Sequence, residues 1–183
     1  MNNYIIKKIA LLVFTLLVTL NFATSQNWEK YKSQDLAFTS LFPKTPKLTV
    51  QKIPTAVGEL DMHMVMYAPG YGDLNAVYSI IRSDYPKDQF EDVTSEYNNS
   101  VLDGAVNGVI NNVKGTLVYE KKITLNGYPG REIKIQIDQG YIYMNAYLVE
   151  NIMYISQVIC EIGNDGNKNI KRFMDSFDII KVK

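Results

Sequence analysis

The chain has 183 residues, with 19 basic and 19 acidic side chains, one histidine and one cysteine. A balanced charge creates no basic field, so nucleic acid and anionic lipid surfaces are both disfavoured as partners. A single cysteine permits no internal disulfide, and one histidine with one distant cysteine argues against a structural zinc site.

The first residues predict an export signal. Lys7 and Lys8 precede an apolar run over residues 9–20, and residues 23–25 (Ala-Thr-Ser) match a small-x-small cleavage site. The run is shorter than the roughly 20 apolar residues of a membrane-spanning helix, which favours cleavage over a retained anchor. No cysteine lies near the site, which argues against a lipoprotein.

We therefore expect residues 1–25 to be a signal peptide and residues 26–183 to form a single exported domain, periplasmic or secreted and of bacterial type. Cleavage would leave 17 basic against 19 acidic residues, a net charge of −2, because Lys7 and Lys8 leave with the signal. No transmembrane segment is expected after cleavage.

Short strands are predicted between the signal and the first helix. They cover residues 36–42, 47–53, 59–67 and 75–83, and residues 56–58 read as a hairpin connection. In the third strand Leu60, Met62, Met64 and Met66 alternate with Asp61, His63 and Val65. This period of two indicates a sheet with one strongly apolar face.

A change of periodicity predicts one long helix over residues 87–114, with Asp88 as its N-cap. Its apolar stripe contains Phe90, Val93, Tyr97, Val101 and Ala105. Gly104 and Gly108 fall on the same stripe. Since glycine costs a helix about 1 kcal/mol relative to alanine, their presence predicts that the helix backbone lies close against the sheet. A helix broken at Gly104 is the alternative.

Four more strands are predicted, over residues 116–125, 131–138, 141–150 and 152–160, and their tight links favour an antiparallel meander. A short C-terminal helix over residues 167–177 follows, and residues 178–182 can add an edge strand. Several strands carry apolar residues on both faces, so the sheet needs cover on both sides. The expected fold is α+β: an α-β-α sandwich, with a mainly antiparallel sheet, one long central helix and a short C-terminal helix.

The segment "NGYPGR", residues 126–131, lies between two predicted strands and is typical of a hairpin connection. Gly127 tolerates a positive φ, and we expect Pro129 beside Gly130 to force a bulge or a late entry into the strand. Arg131 shares parity with the isoleucines that follow, so it should begin on the apolar face and need an acidic or carbonyl partner. A salt bridge that closes one end of the core is favoured over ligand binding.

Residues that could carry catalysis are few. His63 would have to serve any Ser-His-Asp or Cys-His arrangement, and its neighbours on the same strand face are Asp61 and Val65. Cys160 lies in an apolar strand pattern, which favours a buried, inert thiol. Residues 163–169 lack the alternating acids of a calcium loop and suit a polar turn that caps the last helix. We assign no catalytic, cofactor-binding or metal-binding residue.

Spacing supports one binding surface, an aromatic patch for a glycan or a protein partner. Its members are Tyr141, Tyr143, Tyr147 and Tyr154. The favoured alternative is that these tyrosines pack beneath a helix, because the predicted sheet is apolar on both sides.

The order of several segments resembles a known family. They are "FTSLFPKTPKL", "GELDMHMVMY", "YSIIRSDYP", "LNGYPGRE", "YLVENIMYISQV" and a closing F-x-x-S-F at Phe173, Ser176 and Phe177. Over residues 35–182 the chain resembles the PsbP-like proteins, exported bacterial domains with the fold of the photosystem II extrinsic protein PsbP. The resemblance implies an α-β-α sandwich and a mostly non-enzymatic role. It carries over no catalytic residues, and nothing in the chain indicates photosynthesis.

These observations favour an exported, non-catalytic domain that binds a protein or an envelope component. One alternative is a small-ligand or glycan-binding protein that uses the tyrosines. Another is a hydrolase that uses scattered carboxylates or His63, which would require a pocket where these groups converge with Arg82 or Arg131.

Overall fold

A computed structural model describes residues 28–55 and 58–180 of the chain. The predicted signal peptide, Ala56 and Val57 of the predicted hairpin, and residues 181–182 of the predicted last strand lie outside these ranges. The described strands are β1 (Glu29–Ser33), β2 (Phe38–Phe42), β3 (Lys47–Thr55), β4 (Gly58–Tyr67), β5 (Val77–Asp84), β6 (Thr116–Leu125), β7 (Tyr128–Ile137), β8 (Gly140–Val149), β9 (Ile152–Glu161) and β10 (Asp178–Ile179). The helices are α1 (Ser95–Val113) and α2 (Lys168–Met174), with 3-10 turns at Lys87–Phe90 and Ile162–Asn164.

Seven strands form one antiparallel sheet in the order β3-β4-β5-β9-β8-β7-β6. The last four strands in sequence make a meander that starts at the far edge, and β9 returns to pair with β5, where Tyr78 lies opposite Val158. The helix α1 carries the chain from β5 to that far edge. The predicted α+β class and the antiparallel meander are confirmed.

A second, three-stranded sheet has the order β1-β2-β10. Ser33 pairs with Phe38, and Asp178 pairs with Thr39 on the other side of β2. The strand β1, with the sequence EKYKS, was not predicted because Tyr31 is its only apolar residue. It lies at the edge of the small sheet, so an apolar alternation is not required there.

One face of the large sheet packs against α2 and the small sheet together. The buried residues of this core include Phe38, Phe42, Val65, Tyr78, Tyr147, Tyr154, Val158, Phe173 and Phe177. Phe173 of α2 lies edge-on to Phe42 with ring centroids 5.1 Å apart, and Phe177 stacks on Tyr147 at 5.8 Å. Such aromatic pairs stabilise a core beyond the area that they bury.

The F-x-x-S-F segment fastens the small sheet to α2. The hydroxyl of Ser176 donates to the carbonyl of Phe173 at 2.7 Å and accepts the backbone N–H of Leu41 in β2 at 2.9 Å. The flanking Phe173 and Phe177 are both buried. The motif therefore combines two buried phenylalanines with one hydroxyl that bonds to the backbone of both α2 and β2.

The opposite face of the large sheet packs against α1. Leu102 and Val106, one turn apart, are buried over Ile133, Ile135 and Met144. The two helices therefore cover opposite faces, as predicted, although the small sheet shares a layer with α2. Neither helix of the described chain has the length and apolar character needed to cross a membrane.

The start of α1 was predicted too early. Lys87–Phe90 forms a 3-10 turn, and Asp92 has a φ of 51°, which an α-helix cannot contain. The side chain of Thr94, not of Asp88, caps the helix by accepting the N–H of Tyr97. The helix then runs without a break through Gly104.

The prediction that Gly104 and Gly108 press against the sheet was wrong. A Cβ built at either glycine meets no described atom within 4 Å, and both residues are exposed. The buried stripe instead passes through Leu102 and Val106, because these larger side chains fill the space above β7 and β8.

The "NGYPGR" segment is a two-residue hairpin. Asn126 and Gly127 have φ angles of 52° and 89°, and Leu125 pairs with Tyr128. The expected bulge at Pro129 is absent from the β6–β7 register, whose described irregularity lies between Leu117 and Tyr119.

Two positions explain why the hairpin tolerates proline and requires glycine. Pro129 lies beyond Gly130–Tyr147, the last residue pair of the β7–β8 ladder, so its missing N–H removes no ladder bond. A Cβ at Gly130 would lie 2.6 Å from the carbonyl oxygen of Ala146 and 2.7 Å from a ring carbon of Tyr147. Gly130 therefore permits β8 to approach.

Neither face of β4 is fully covered. Leu60 on the more apolar face and Val65 on the α2 side are both buried, whereas Met62, Met64 and Met66 on the more apolar face are only half-buried. The reason is the position of α1, which packs over β7 and β8 and not over β4.

Candidate functional site

A cleft lies between α2 and the outer strands β6, β7 and β8. Its volume is about 260 Å³. The lining side chains that matter for its chemistry are Tyr119, Glu132, Tyr143, Asn145, Ile170, Lys171, Met174 and Asp175. We take this cleft as the candidate site because it is concave and combines apolar walls with several polar groups.

Two cross-strand rows of side chains run beneath the cleft, and Tyr119, Glu132, Tyr143 and Asn145 are the members that line it. The first row is Lys121, Glu132, Asn145 and Ser156, and the second is Tyr119, Lys134, Tyr143 and Val158. Side chains alternate along each strand, so both rows point to the face that α2 covers. Antiparallel pairing thus brings together residues that lie far apart in sequence.

The helix α2 forms the wall of the cleft, and its buried residues Ile170 and Phe173 fix its position against the sheet. Its N-cap is Asn167, whose side-chain oxygen accepts the N–H of Asn169 at 3.0 Å. The amide of Asn167 also donates to the side chain of Asn75 at 2.9 Å. Residues 163–169 therefore act as a capping turn, which fixes the wall relative to the sheet.

Ion pairs neutralise the lysines around the cleft. Lys134 lies 2.8 Å from Asp165, Lys171 lies 2.6 Å from Asp175, and Lys121 lies 3.6 Å from Glu132. Each pair joins a cation to a carboxylate of this chain. The cleft consequently carries no strong field of either sign.

The two tyrosines of the cleft are firmly protonated. Burial, together with a 3.0 Å hydrogen bond donated to Glu132, raises the pKa of Tyr119 to about 12. Burial also raises the pKa of Tyr143, whose hydroxyl donates to Asp165 at 2.6 Å. Both hydroxyl protons are therefore already used within the protein.

The carboxyl of Asp165 contacts two members of the second row, Lys134 and Tyr143. Although burial opposes it, hydrogen bonds from Lys134 and Tyr143 lower the pKa of Asp165 below its usual range. Burial lowers the pKa of Lys134, but its contacts with Asp165 and Tyr143 outweigh burial, so this pKa lies above its usual range. Lys134 also lies over the rings of Tyr141 and Tyr143, at 4.2 and 5.1 Å from their centroids.

Asn145 carries an unpaired acceptor in the floor. Its Nδ2 donates to the hydroxyl of Tyr147 at 3.3 Å. Its Oδ1 is buried and has no hydrogen-bond partner among the described residues. An unpaired buried acceptor costs roughly 1–3 kcal/mol, and because Oδ1 is closed to solvent, a group in the cleft cannot reach it without movement of the side chain.

The predicted four-tyrosine patch is not an exposed surface, because two of its members are buried. Tyr147 stacks on Phe177, and Tyr154 is 1% exposed with its hydroxyl donating to the carbonyl of Leu36 at 2.9 Å. Tyr141 is half-buried against Lys134. Tyr143 is the member that lines the cleft. The alternative, packing beneath α2 and the small sheet, describes the other members better.

Arg131 lies on the α1 face, away from the cleft, with its side chain 2% exposed. It donates to Asp103 of α1 at 2.7 Å, to Asn99 at 2.8 Å and to the carbonyl of Gly130 at 3.1 Å, and it pairs with Glu120 at 3.0 Å. The guanidinium is thus occupied by the fold, so it offers no group to a ligand.

His63 lies away from the cleft on β4. It is half-buried and pairs across the sheet with Val50 and with Arg82. Arg82 is held by both oxygens of Asp84, at 2.6 and 2.7 Å. No hydrogen bond in the described ranges joins His63 to a serine or cysteine, so the geometry gives the hydrolase alternative no nucleophile–base pair.

Cys160 is 1% exposed, and burial raises the pKa of its thiol. A thiol in such surroundings is a poor nucleophile. Residues 28–55 and 58–180 contain no group of three His, Cys, Asp or Glu side chains placed to hold a metal ion.

Sequence reasoning missed Tyr119, Glu132, Asn145 and Asp175 as members of one site. One signal was available: Asn145 is an amide in the middle of the strand sequence GYIYMNAYLV, where the other residues are apolar, aromatic or small. A polar residue at such a position indicates either a buried hydrogen bond or a ligand contact.

Comparison with solved structures identifies the class of fold. The seven-stranded sheet, the two helices on its opposite faces and the small sheet beside α2 make up the PsbP fold. The solution structure of cyanobacterial PsbP (CyanoP) from Synechocystis sp. PCC 6803 superposes with a TM-score of 0.55 and 10% sequence identity, over 87% of this chain and 96% of the other. Neither a protein-family model nor a curated protein matches the sequence. At this identity the likeness concerns the fold.

Proposed function

We propose that this chain is an exported, non-catalytic binding domain that holds a protein or another component of the cell envelope. The signal pattern of residues 1–25 supports export, and residues 26–183 form the single domain that remains. The PsbP fold supports a role in binding.

The contact is made at the cleft between α2 and the strands β6–β8. One observation carries this assignment: the cleft brings Glu132, Tyr143 and Asn145 of the sheet against Ile170 and Met174 of α2. A concave site that joins apolar walls to a few converging polar groups is the usual form of a binding site.

The test is affinity capture from an envelope extract with the immobilised protein. Asn145→Leu replaces the amide of a lining side chain by two methyl groups with the same branching, and Asn112→Leu on the exposed side of α1 is the matched control. We expect capture by the wild type and by the control, with loss of capture in Asn145→Leu. Thermal unfolding of all three proteins checks that each is folded.

Three results would contradict the proposal. Failure of the wild type to retain any component rejects binding itself. Equal retention by all three proteins rejects the cleft as the contact. Turnover of a substrate from a hydrolase panel, abolished by a change at His63, would favour the catalytic alternative.

A further inference from the structure

We propose that the group bound in the cleft is an uncharged sugar ring of an envelope saccharide. This inference rests on the proposed function, since it names the chemical class of ligand for the same cleft. Three properties of the cleft support it: its charge, its hydrogen-bonding capacity and its size.

The charge of the cleft favours a neutral ligand. Each neighbouring lysine is already paired with a carboxylate, at 2.6 Å for Lys171–Asp175 and 3.6 Å for Lys121–Glu132. An anionic ligand would have to compete with Asp175 or Glu132, and a cationic ligand with the lysines. A neutral group enters without breaking either pair.

The hydrogen-bonding groups of the cleft favour a ligand rich in donors. The hydroxyls of Tyr119 and Tyr143 donate to Glu132 and Asp165, so these protons are not offered to a ligand. Acceptors remain: the carboxylates of Glu132 and Asp175 line the cleft, and each carboxylate can accept about four hydrogen bonds. Hydroxyl groups supply such donors without carrying charge.

The walls and the size of the cleft suit one ring. Ile170 and Met174 of α2 and the rings of Tyr119 and Tyr143 give apolar surface beside the polar floor. The volume of about 260 Å³ lies below the roughly 300–1,000 Å³ of sites for drug-sized ligands. A pyranose combines C–H faces, which pack on apolar and aromatic side chains, with a rim of hydroxyls.

The experiment is a nuclear magnetic resonance titration of the isotope-labelled protein. The probes are glucose, N-acetylglucosamine and an oligomer of each, with putrescine and acetate as cationic and anionic comparisons. We expect the sugars to shift the side-chain amide of Asn145 and the backbone amides of Gly166 and Lys171, with dissociation constants in the millimolar range. Asn145→Leu should weaken binding by about tenfold, because it replaces a polar side chain of the cleft lining by an apolar one and one hydrogen bond is worth about that factor, whereas Asn112→Leu should leave binding unchanged.

The outcomes separate the ligand class from the site. Shifts by putrescine or acetate at these amides, with none from the sugars, overturn the saccharide assignment. If no sugar shifts any of these amides, the saccharide assignment is also overturned. In that case, Asn145-dependent capture from the extract would show that the cleft binds another ligand. If capture is absent as well, the proposed function fails together with the saccharide assignment.

Discussion

Arg131 of β7 donates to Asp103 of α1 at 2.7 Å, yet the arginine side chain is 2% exposed and the carboxylate 53% exposed. The two ends of this ion pair therefore have different solvation. The cation depends on its protein partners, whereas water can solvate the anion when the pair is broken. The pair also joins the long helix to the strand that follows the "NGYPGR" hairpin.

This asymmetry gives the first prediction. Asp103→Ala should reduce the free energy of unfolding by about 2 kcal/mol, less than the roughly 3–5 kcal/mol of an abandoned buried charge, because Glu120 remains near Arg131. Arg131→Met should cost less than Asp103→Ala, since it removes the buried charge and keeps most of the volume. Urea unfolding of both variants checks the order, and the reverse order would contradict the claim that leaving the buried cation without Asp103 costs more than removing the cation.

A second prediction compares two glycines. Gly130→Ala should destabilise the protein by about 2 kcal/mol, because its Cβ would lie 2.6 Å from the carbonyl oxygen of Ala146. Gly104→Ala should stabilise it by about 1 kcal/mol, because the site is an open position inside a helix. Thermal and urea unfolding measure both. Destabilisation by Gly104→Ala would restore the idea that the helix backbone touches the sheet.

The ion pair between Lys134 and Asp165 predicts a pH dependence. The folded pKa of Asp165 is below its ordinary 3.8, so its contribution is complete above pH 3.8 and is lost as the pH falls through the lowered value. The folded pKa of Lys134 is above its ordinary 10.5, so its contribution is complete below pH 10.5 and is lost as the pH rises through the raised value.

Asp165→Asn should therefore cost a constant amount between pH 3.8 and 10.0, under about 1 kcal/mol for a partly exposed pair, and the difference should shrink outside that window. The upper limit is 10.0 because the hydroxyl of Tyr143, whose pKa is raised from 10.0, also donates to Asp165. The measurement is the free energy of unfolding in urea as a function of pH, for wild type and variant. A difference that changes steadily between pH 5 and 8 would show that other groups dominate the stability of this region.

The burial of Cys160 predicts an inert thiol. A water-soluble disulfide reagent should leave the native protein unmodified and should react completely after unfolding in urea, because the thiol is 1% exposed and its pKa is raised by burial. Absorbance of the released thiolate follows the reaction. Rapid modification of the native protein would indicate that the β8–β9 region opens easily.

Much of this fold can be predicted from local pattern. The patterns that predict it are the alternation in β4–β9, the turn residues Asn126 and Gly127, and the helical spacing of Ile170, Phe173 and Met174 at i, i+3 and i+4. All of them act between residues close in sequence. The parity of Arg131 places it on the apolar face in the same way. Where neighbours in the chain determine the structure, one sequence is enough.

Other features depend on contacts that local pattern does not contain. The strand β1 forms because β2 offers an edge, and the position of α1 depends on which strands lie beneath it. The cleft depends on the register of three strand pairs, which places Glu132 beside Asn145 and α2 above both. A shift of one residue would send either row of its floor to the other face.

The stability of Asn145→Leu separates a ligand contact from a structural role. Removing the unpaired acceptor should raise the free energy of unfolding by about 1 kcal/mol, after the loss of the 3.3 Å bond to Tyr147 is subtracted. Urea unfolding gives the value. If Asn145 has a structural role, the variant should instead have a lower free energy of unfolding than the wild type, and marked destabilisation would show that role.

The most direct test of the cleft as the binding site is photo-crosslinking with photo-methionine in place of methionine. Met174 lines the cleft, whereas Met62, Met64 and Met66 lie half-buried on the opposite face of the sheet and serve as an internal control. After illumination with envelope extract, we expect mass spectrometry to find partner adducts at Met174. Adducts at the β4 methionines without any at Met174 would contradict the account.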